Sequence, residues 1–265
     1  MKIGFIGCGN MGGALALAVS KSTDAKLLLC DTDSCKSAAL ALATGGEVAT
    51  ITEVATECDY IFLAVKPAGC AAAIDFIKSA LRARDGYTIV SMLAGVTLAT
   101  IEEYLGGKPP IIRIMPNTPV SVGCGMTVFS GNSMVSDGIR AEFLEIMKES
   151  GRLAELPEEK IDAACAVMGC GPAFAYKFAA ALAEGGELAG LNSDEAIFFA
   201  AQMMKGAAEM LLTSGKAPSE LVSNVCSPGG STIEGVKLLD ARDFGTIASD
   251  AVAASFKRTK ELGRK

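Results

Sequence analysis

The feature that most constrains the fold is a glycine-rich turn between a strand-like and a helix-like stretch. The apolar residues KIGFIG (2 to 7) continue into GCGNMG (7 to 12) and then into GALALAVSKS. In such a G-x-G-x-x-G turn, Gly7 permits the sharp bend, Gly9 lets a pyrophosphate approach the backbone, and Gly12 lets helix and strand pack closely. An ordinary glycine turn is the alternative, but this context favours a dinucleotide site. We predict cofactor contacts from Gly7, Cys8, Gly9, Asn10, Met11 and Gly12.

Short apolar runs alternate with helical patterns through the first half of the chain, as in a parallel α/β sheet. From about Pro157 onward the chain is alanine-rich and helical in period, and no strand pattern returns. The expected fold is therefore an α/β, Rossmann-type dinucleotide-binding domain, residues 1–155, followed by an all-helical C-terminal domain, residues 156–265. The predicted strands are KIGFIG (2 to 7), KLLLCD (26 to 31), DYIFLAV (59 to 65), TIVSM (88 to 92), PIIRIMP (110 to 116) and MTVFS (126 to 130).

An acid ends the second predicted strand. Asp31 comes about 20 residues after the glycine turn, where a carboxylate accepts hydrogen bonds from an adenosine ribose. A carboxylate there repels a 2′-phosphate and favours NAD over NADP, and the next residues offer Lys36 but no arginine. Asp31 or Asp33 can instead cap the following helix. The choice between NADH and NADPH therefore stays open.

Three further stretches follow predicted strands, at the edge of the sheet where a nicotinamide lies in such folds. They are AVKPAG (64 to 69), MLAG (92 to 95) and RIMPNTP (113 to 119). Their prolines stop the strands, whereas Lys66 and Asn117 either face solvent or meet a ligand. The further predicted cofactor contacts are Asp31, Ala64, Val65, Lys66, Pro67, Ala94, Gly95 and Asn117.

Charge and composition limit the partners. The net charge of −6 argues against nucleic acid or an anionic membrane surface. The start of the chain does not resemble a signal peptide and no later apolar run suggests a membrane span, so we expect no membrane. The nine cysteines are scattered without a C-x-x-C pair. This pattern favours a reducing, cytoplasmic location and predicts neither a disulfide framework nor a metal site.

The absence of histidine limits which hydride-transfer reactions of a nicotinamide cofactor this chain can catalyse. Reduction of a ketone leaves an alkoxide that needs a positioned acid, whereas a protonated imine already carries its proton. An anionic substrate also needs a local binding site in an acidic protein. The turn CSPGGST (226 to 232) offers bare backbone amides at the entrance of a predicted helix. A plain surface turn is the alternative.

Five segments together resemble one family. They are IGCGNMG, FLAVKP, RIMPNTP, GCGPAF and, most specifically, PSELVSNVCSPGGSTIEGVKLLD. The chain is similar, over nearly its whole length, to the Δ1-pyrroline-5-carboxylate reductases, the oxidoreductases that complete proline biosynthesis. The resemblance implies reduction of the cyclic imine pyrroline-5-carboxylate to L-proline by hydride transfer from NADPH or NADH. The family frequently prefers NADPH, which conflicts with the interpretation of Asp31.

The resemblance also implies a substrate site in the helical domain. Backbone amides and a serine of the turn hold the substrate carboxylate, and a threonine hydroxyl bonds the ring nitrogen. The matching residues are Ser227, Gly229, Gly230, Ser231 and Thr232. Thr232 and Ser227 are the implied catalytic residues, with Thr232 orienting the substrate and relaying a proton through water. On residues alone, Thr232 can instead cap the helix.

The helical half departs from the family pattern in MGCGPAF (168 to 174), because Met168 and Cys170 stand where serines are usual. Glu184, at a position that is often aspartate, is interpreted as structural. Relatives interlock these alanine-rich helices between subunits near the substrate site. The resemblance therefore implies a homodimer, with a ring of dimers as a further option.

Two other functions stay open on the residues alone. A β-hydroxyacid dehydrogenase shares the first turn, but its lysine is expected four residues after a G-x-G, where this chain has Ala175 and reaches lysine only at Lys177. A non-catalytic sensor of NAD(P) also fits the fold but has no need of the CSPGGST turn.

Overall fold

One sheet organises the first half of the molecule, in a computed structural model that describes residues 1–262. The strands are β1 (Lys2–Ile6), β2 (Lys26–Cys30), β3 (Glu47–Val48), β4 (Tyr60–Leu63), β5 (Thr88–Ser91), β6 (Ile111–Met115), β7 (Gly125–Gly131) and β8 (Gly151–Glu155). They lie in the order β3-β2-β1-β4-β5-β6-β7-β8. Every neighbouring pair is parallel except β6 and β7, which are antiparallel.

Helices connect the strands and make up the second half. They are α1 (Asn10–Ser22), α2 (Ser34–Thr44), α3 (Ile51–Glu57), α4 (Cys70–Arg82), α5 (Leu98–Leu105), α6 (Asp137–Met147), α7 (Glu158–Ala164), α8 (Gly171–Leu188), α9 (Ser193–Thr213), α10 (Pro218–Val225), α11 (Ser231–Ala241) and α12 (Phe244–Leu262). Short 3-10 turns and one π-helical turn, Cys165–Gly169, complete the described elements.

The core has two halves because helices cover both faces of the sheet. On one face, Leu15 of α1 and Phe143 of α6 pack against Phe5 and Phe62, whose rings stack with centroids 4.5 Å apart. On the other face, helices α3, α4 and α5 contribute to a second apolar cluster. Burial on both faces explains why the central strands are nearly continuous in Val, Ile, Leu and Phe.

The predicted fold class and its six strands are confirmed, with two strands missed. β3 has only two residues, both exposed, so it carries no apolar run. β8 is an edge strand that is half-buried at best, and its sequence GRLAE lies where the chain was expected to change domain. Five of the six predicted strands end earlier than predicted, and β7 ends one residue later. The early ends leave Asp31, Ala64 and Val65 in the loops at the carboxyl edge of the sheet.

The chain forms two compact units. Met1–Cys170, joined by residues 255–262, makes the first, and Gly171–Ala254 makes the second. The first unit extends beyond residue 155 because α7 packs against β7. The division of tasks between residues 1–155 and 156–265 stays a prediction.

The second unit is built on the pair α8 and α9. Small buried residues lie between them, and a Cβ on Gly186 would come within 3.1 Å of Leu191 and 3.4 Å of Ala196. Many large apolar side chains of this unit remain exposed. They include Tyr176, Leu188, Ile197, Phe198, Phe199, Met203, Met210, Leu211, Leu212, Val225, Leu238 and Ile247.

The continuous helical segment Glu158–Leu188 is long and apolar enough to cross a membrane by length and composition alone. Only 11% of its most apolar window is buried. Exposed apolar helices of this kind also form interfaces between subunits. Length and composition alone are therefore weak evidence for a membrane span. The expected absence of a membrane stays a prediction.

Candidate active site

The first glycine turn is sterically fixed by the strands beside it. Gly7 has a φ of 107°, and a Cβ there would approach Ala64 O to 2.6 Å. A Cβ on Gly12 would collide with Gly7 O and come within 2.9 Å of Ala64 Cβ. A Cβ on Gly9, in contrast, has no heavy atom within 4 Å. Two glycines therefore close the turn, and the third leaves an open approach to the backbone.

The turn leads into α1 without a side-chain cap. Gly9 is the N-cap residue, in an extended conformation, and Asn10 and Met11 begin the helix. Their backbone N–H groups belong to the first turn, where no intrahelical acceptor exists. An anion is stabilised at such a helix start by these N–H groups and by the helix dipole. The open side of Gly9 and the uncapped helix fit the pyrophosphate of a dinucleotide.

A cavity of about 590 Å³ lies at the carboxyl ends of β1, β2 and β4. In the sheet order, β1 stands between β2 and β4, which is the point where the strand order reverses and where such sheets bind ligands. The predicted residues that line it are Gly7, Gly9, Asp31, Ala64, Val65 and Lys66. Cys8 and Asn10 line a second, more open cavity of about 340 Å³. Gly9 lines both cavities.

Asp31 is held rigidly at the end of β2. Its Oδ2 accepts a hydrogen bond from the Cys8 N–H at 2.6 Å, and its Oδ1 accepts one from the Asp33 N–H at 2.8 Å. Partial burial raises the pKa of Asp31, but these backbone hydrogen bonds and the Lys36 charge outweigh it and hold the pKa below its usual value. Asp31 is thus a fixed anion beside the glycine turn. Asp33, not Asp31, caps α2, by accepting the Cys35 N–H.

The thiol of Cys8 is buried and donates to Cys30 O. Burial, followed by the charge of Asp31, raises the pKa of Cys8 to about 12. Its thiol therefore stays protonated at neutral pH and is a poor nucleophile.

The loop after β4 brings Ala64, Val65 and Lys66 to the cavity, and Lys66 is exposed. Pro67 begins the 3-10 turn Pro67–Gly69, and its side chain lies outside the part of the chain that the structure describes. Several other cavity-lining residues were not predicted as contacts from the sequence, among them Thr32, Ile51, Ala72 and Phe76. Phe76 is 73% exposed on α4, and no sequence pattern separates it from an ordinary surface residue.

Ala94, Gly95 and Asn117 do not line this cavity. Ala94 and Gly95 form the loop after β5, and Gly95 has a φ of 75°. The buried amide of Asn117 accepts from the Met126 N–H at 2.9 Å and donates to Met168 O at 3.0 Å. This side chain thus ties the loop after β6 to the π-helical turn. Cofactor contacts from these three residues stay a prediction.

A buried ion-pair network fixes the same edge of the sheet. Arg113 on β6 donates to Glu158 at 3.1 Å and to Asp162 at 2.8 Å. Glu158 also accepts from the Leu98 N–H at 2.8 Å, at the start of α5. The network joins the helices that follow the loops after β5 and β8, so it positions those loops. The sequence did not predict this ion-pair network, because a single arginine within RIMPNTP does not reveal its partners.

The second glycine turn lies in the second compact unit, between α10 and α11. Gly229 has a φ of 73°, and the Gly230 N–H donates to Ser227 O at 3.0 Å. Gly230 is the N-cap of α11 and no side chain caps the helix. Ser227, Ser231 and Thr232 are exposed. The predicted helix entrance is confirmed, and the alternative of Thr232 as its cap is wrong, because Thr232 lies inside the first turn.

Comparison with known proteins agrees with these features. Residues 158–262 match the family model for pyrroline-5-carboxylate reductase dimerisation, and residues 2–95 match the model for NADP oxidoreductase, coenzyme F420-dependent. Pyrroline-5-carboxylate reductase of Escherichia coli K12 is 36% identical over 99% of this chain and 98% of its own length. The chain belongs to the pyrroline-5-carboxylate reductase family. It is an NAD(P)H-dependent oxidoreductase with a dimerisation region.

Relatives from distant organisms extend this result. Human pyrroline-5-carboxylate reductase 2 is 37% identical over 99% of this chain and 84% of its own length. The crystal structure of Plasmodium falciparum pyrroline carboxylate reductase with NADP bound superposes with a TM-score of 0.88 at 30% identity, covering 99% of this chain and 98% of that one. The family resemblance and the nicotinamide cofactor are confirmed, and the hydroxyacid dehydrogenase alternative is set aside.

Proposed function

We propose that this chain reduces Δ1-pyrroline-5-carboxylate to L-proline with NADH or NADPH, through the residues described above. The observation that carries the proposal is the uncapped start of α11 within the SPGGST turn. An exposed helix start without a cap has unused N–H donors, and the substrate brings a carboxylate that needs them. The same turn is the most family-specific segment of the sequence.

The cofactor is held by the residues around the first glycine turn. The N–H groups at the start of α1 receive its pyrophosphate beside Gly9, and Asp31 receives a ribose. Ala64, Val65 and Lys66 form the wall on the β4 side of the cavity. The bound nicotinamide supplies the hydride.

The substrate carboxylate is held by the second glycine turn. The N–H groups of Ser231 and Thr232 lie in the first turn of α11, and Gly229 adds an exposed backbone without a side chain. Ser227 adds a hydroxyl close to Gly230, since a Cβ on that glycine would come within 2.5 Å of Ser227 Oγ. These donors compensate the substrate charge locally in a protein whose net charge is −6.

Thr232 orients the reacting ring. Its hydroxyl both donates and accepts, so it stays bonded to the ring nitrogen as the imine becomes an amine. The iminium form of the substrate already carries the proton, and addition of hydride to its carbon gives the neutral amine. A strong general acid is therefore unnecessary, which fits a chain without histidine. Thr232 and Ser227 are the proposed catalytic residues.

We also propose that the protein acts as a cytoplasmic homodimer, with assembly into a ring of dimers as an option. The apolar side chains exposed on α8 and α9 support a partner subunit, and the nine free cysteines suit a reducing compartment. The proposed partners are the imine, L-proline and a second copy of the chain, without nucleic acid, membrane or metal. Among the described residues, no cluster of His, Cys, Asp and Glu is arranged for a metal ion.

Oxidation of reduced nicotinamide in the presence of pyrroline-5-carboxylate tests the proposal. We expect a loss of absorbance that requires both protein and imine, with L-proline formed in equal amount. Bound nucleotide without turnover of the imine would contradict the proposal and favour the sensor alternative.

A further inference from the structure

The wall of the cavity at the end of β2 is acidic and already organised. The two oxygens of Asp31 accept backbone hydrogen bonds at 2.6 and 2.8 Å, so the carboxylate cannot turn away from the cavity that it lines. Oδ2 keeps a free lone pair for a ribose hydroxyl, and the second lone pair of Oδ1 is engaged only by a long hydrogen bond from the Thr32 hydroxyl. The Thr32 hydroxyl also faces Asp31, at 3.5 Å.

The cations of this cavity offset that charge only in part. Among the described residues that line it, Lys36 and Lys66 carry positive charge. The Lys36 ammonium already lies 3.5 Å from the Asp33 carboxylate. Lys66 follows β4, two strands away from β2 and so roughly 10 Å along the sheet. Two carboxylates, Asp31 and Asp33, therefore stand against one ammonium, Lys36, and the net charge at the β2 end of the cavity is negative.

We propose that this chain binds NAD(H) in preference to NADP(H), and that Asp31 is the residue that determines the choice. NAD offers Asp31 a 2′-hydroxyl donor. NADP replaces that donor with a phosphate, which brings further negative charge against a fixed carboxylate and removes the hydrogen bond. This preference bears on catalysis only through the proposed function, on which that part of the inference rests. The preference itself concerns nucleotide binding alone.

Calorimetric titration of the purified protein with NAD⁺ and, separately, with NADP⁺ tests the inference without any turnover. For the wild-type chain we expect a Kd for NADP⁺ at least about tenfold above that for NAD⁺, since one charge repulsion near a protein surface is of that order. In Asp31→Asn the ratio of the two Kd values is expected to fall several-fold. The asparagine oxygen replaces one carboxylate oxygen as the acceptor for the Cys8 N–H, whereas its NH2 group leaves the Asp33 N–H without that acceptor. The melting temperature of the variant is therefore compared with that of the wild type, to separate a local structural change from the loss of charge.

Two further variants sharpen the test. Asp33→Asn frees Lys36 and still caps α2, so it is expected to lower the Kd for NADP⁺ more than that for NAD⁺. Asp85→Asn removes an equal charge from an exposed loop that does not line the cavity, and both Kd values should stay at the wild-type level.

The outcomes separate this inference from the proposed function. Equal or tighter binding of NADP⁺ by the wild type, or an unchanged ratio in Asp31→Asn, overturns the preference. Failure to turn over pyrroline-5-carboxylate while the Kd ratio holds overturns the proposed function and leaves the preference standing. If neither nucleotide binds, both are overturned.

Discussion

The two glycine turns of this protein look alike locally and differ in what surrounds them. Gly9 and Gly230 are both extended N-caps of helices that lack a side-chain cap. Around the first turn, Gly7 and Gly12 lie against the backbone and side chain of Ala64. Around the second, a Cβ on Gly229 would meet nothing within 4 Å. The first turn is fixed by the packing of the sheet, and the second is held by its own hydrogen bond from the Gly230 N–H to Ser227 O.

This difference predicts which substitutions damage the fold and which damage only function. The largest effect is expected at Gly12. Its replacement by alanine drives a Cβ into Gly7 O, so strand and helix must separate, at a cost of about 1 to 3 kcal/mol in the free energy of unfolding and with loss of NAD⁺ binding.

Gly13→Ala is the matched control for Gly12→Ala. A Cβ there lies 3.7 Å from Cys8 O, in ordinary contact within α1. It is expected to raise the free energy of unfolding by about 0.4 to 1 kcal/mol. Thermal melting and calorimetry measure both variants, and normal binding by Gly12→Ala would show that the first turn is not fixed by packing.

The second turn is expected to respond in activity and not in stability. Thr232→Ala removes a hydrogen bond to a charged ring nitrogen, worth about 1.5 to 3 kcal/mol, so kcat/KM for the imine should fall roughly tenfold to a hundredfold. Thr232→Ser keeps the hydroxyl and should retain most of the activity. Both variants should melt and bind NAD⁺ like the wild type, because Thr232 is exposed. Full activity in Thr232→Ala would remove its catalytic role.

The exposed apolar surface of the second unit gives a third test. Phe198, 64% exposed on α9, is expected to lie at the dimer interface. Phe198→Asp should weaken dimerisation by about 2 kcal/mol or more, seen as monomer in sedimentation velocity. Leu42→Asp, at an 89% exposed position on α2, is the control and should leave the dimer intact. A dimer that survives Phe198→Asp would place the interface elsewhere.

The smallest effect is expected at Gly229. Its φ of 73° suits glycine, and alanine there costs about 1 to 2 kcal/mol of local strain without a steric clash. We expect a modest decrease in melting temperature and a higher KM for the imine, because the strain falls on the turn that is proposed to receive the carboxylate. A decrease in stability as large as that of Gly12→Ala would erase the distinction between the turns.

The sequence predicted the first turn from general physics and the second only through family resemblance. A strand followed by G-x-G-x-x-G and a helix indicates nucleotide binding for steric reasons alone. Gly7, Gly12 and Asp31 lie in the structure where this pattern predicts them. SPGGST is equally consistent with a surface turn until the family is known. The role proposed for this turn depends on a ligand and not on neighbouring residues.

The remaining differences have local causes. β3 and β8 are short or half-exposed, so they lack the apolar run that reveals a strand. Phe76 lines the cavity because of the way α4 packs against α3 and α5, which no spacing in the sequence specifies. Asn117 follows a strand end, as expected, but its amide is occupied by backbone groups of Met126 and Met168.

A crystal structure of the protein with L-proline and NAD⁺ tests the central claim most directly. The account predicts the proline carboxylate within about 3 Å of the backbone nitrogens of Ser231 and Thr232, with the Thr232 hydroxyl at the ring nitrogen. It also predicts the pyrophosphate at the start of α1. A carboxylate bound away from the SPGGST turn, with the start of α11 facing only solvent, would contradict it.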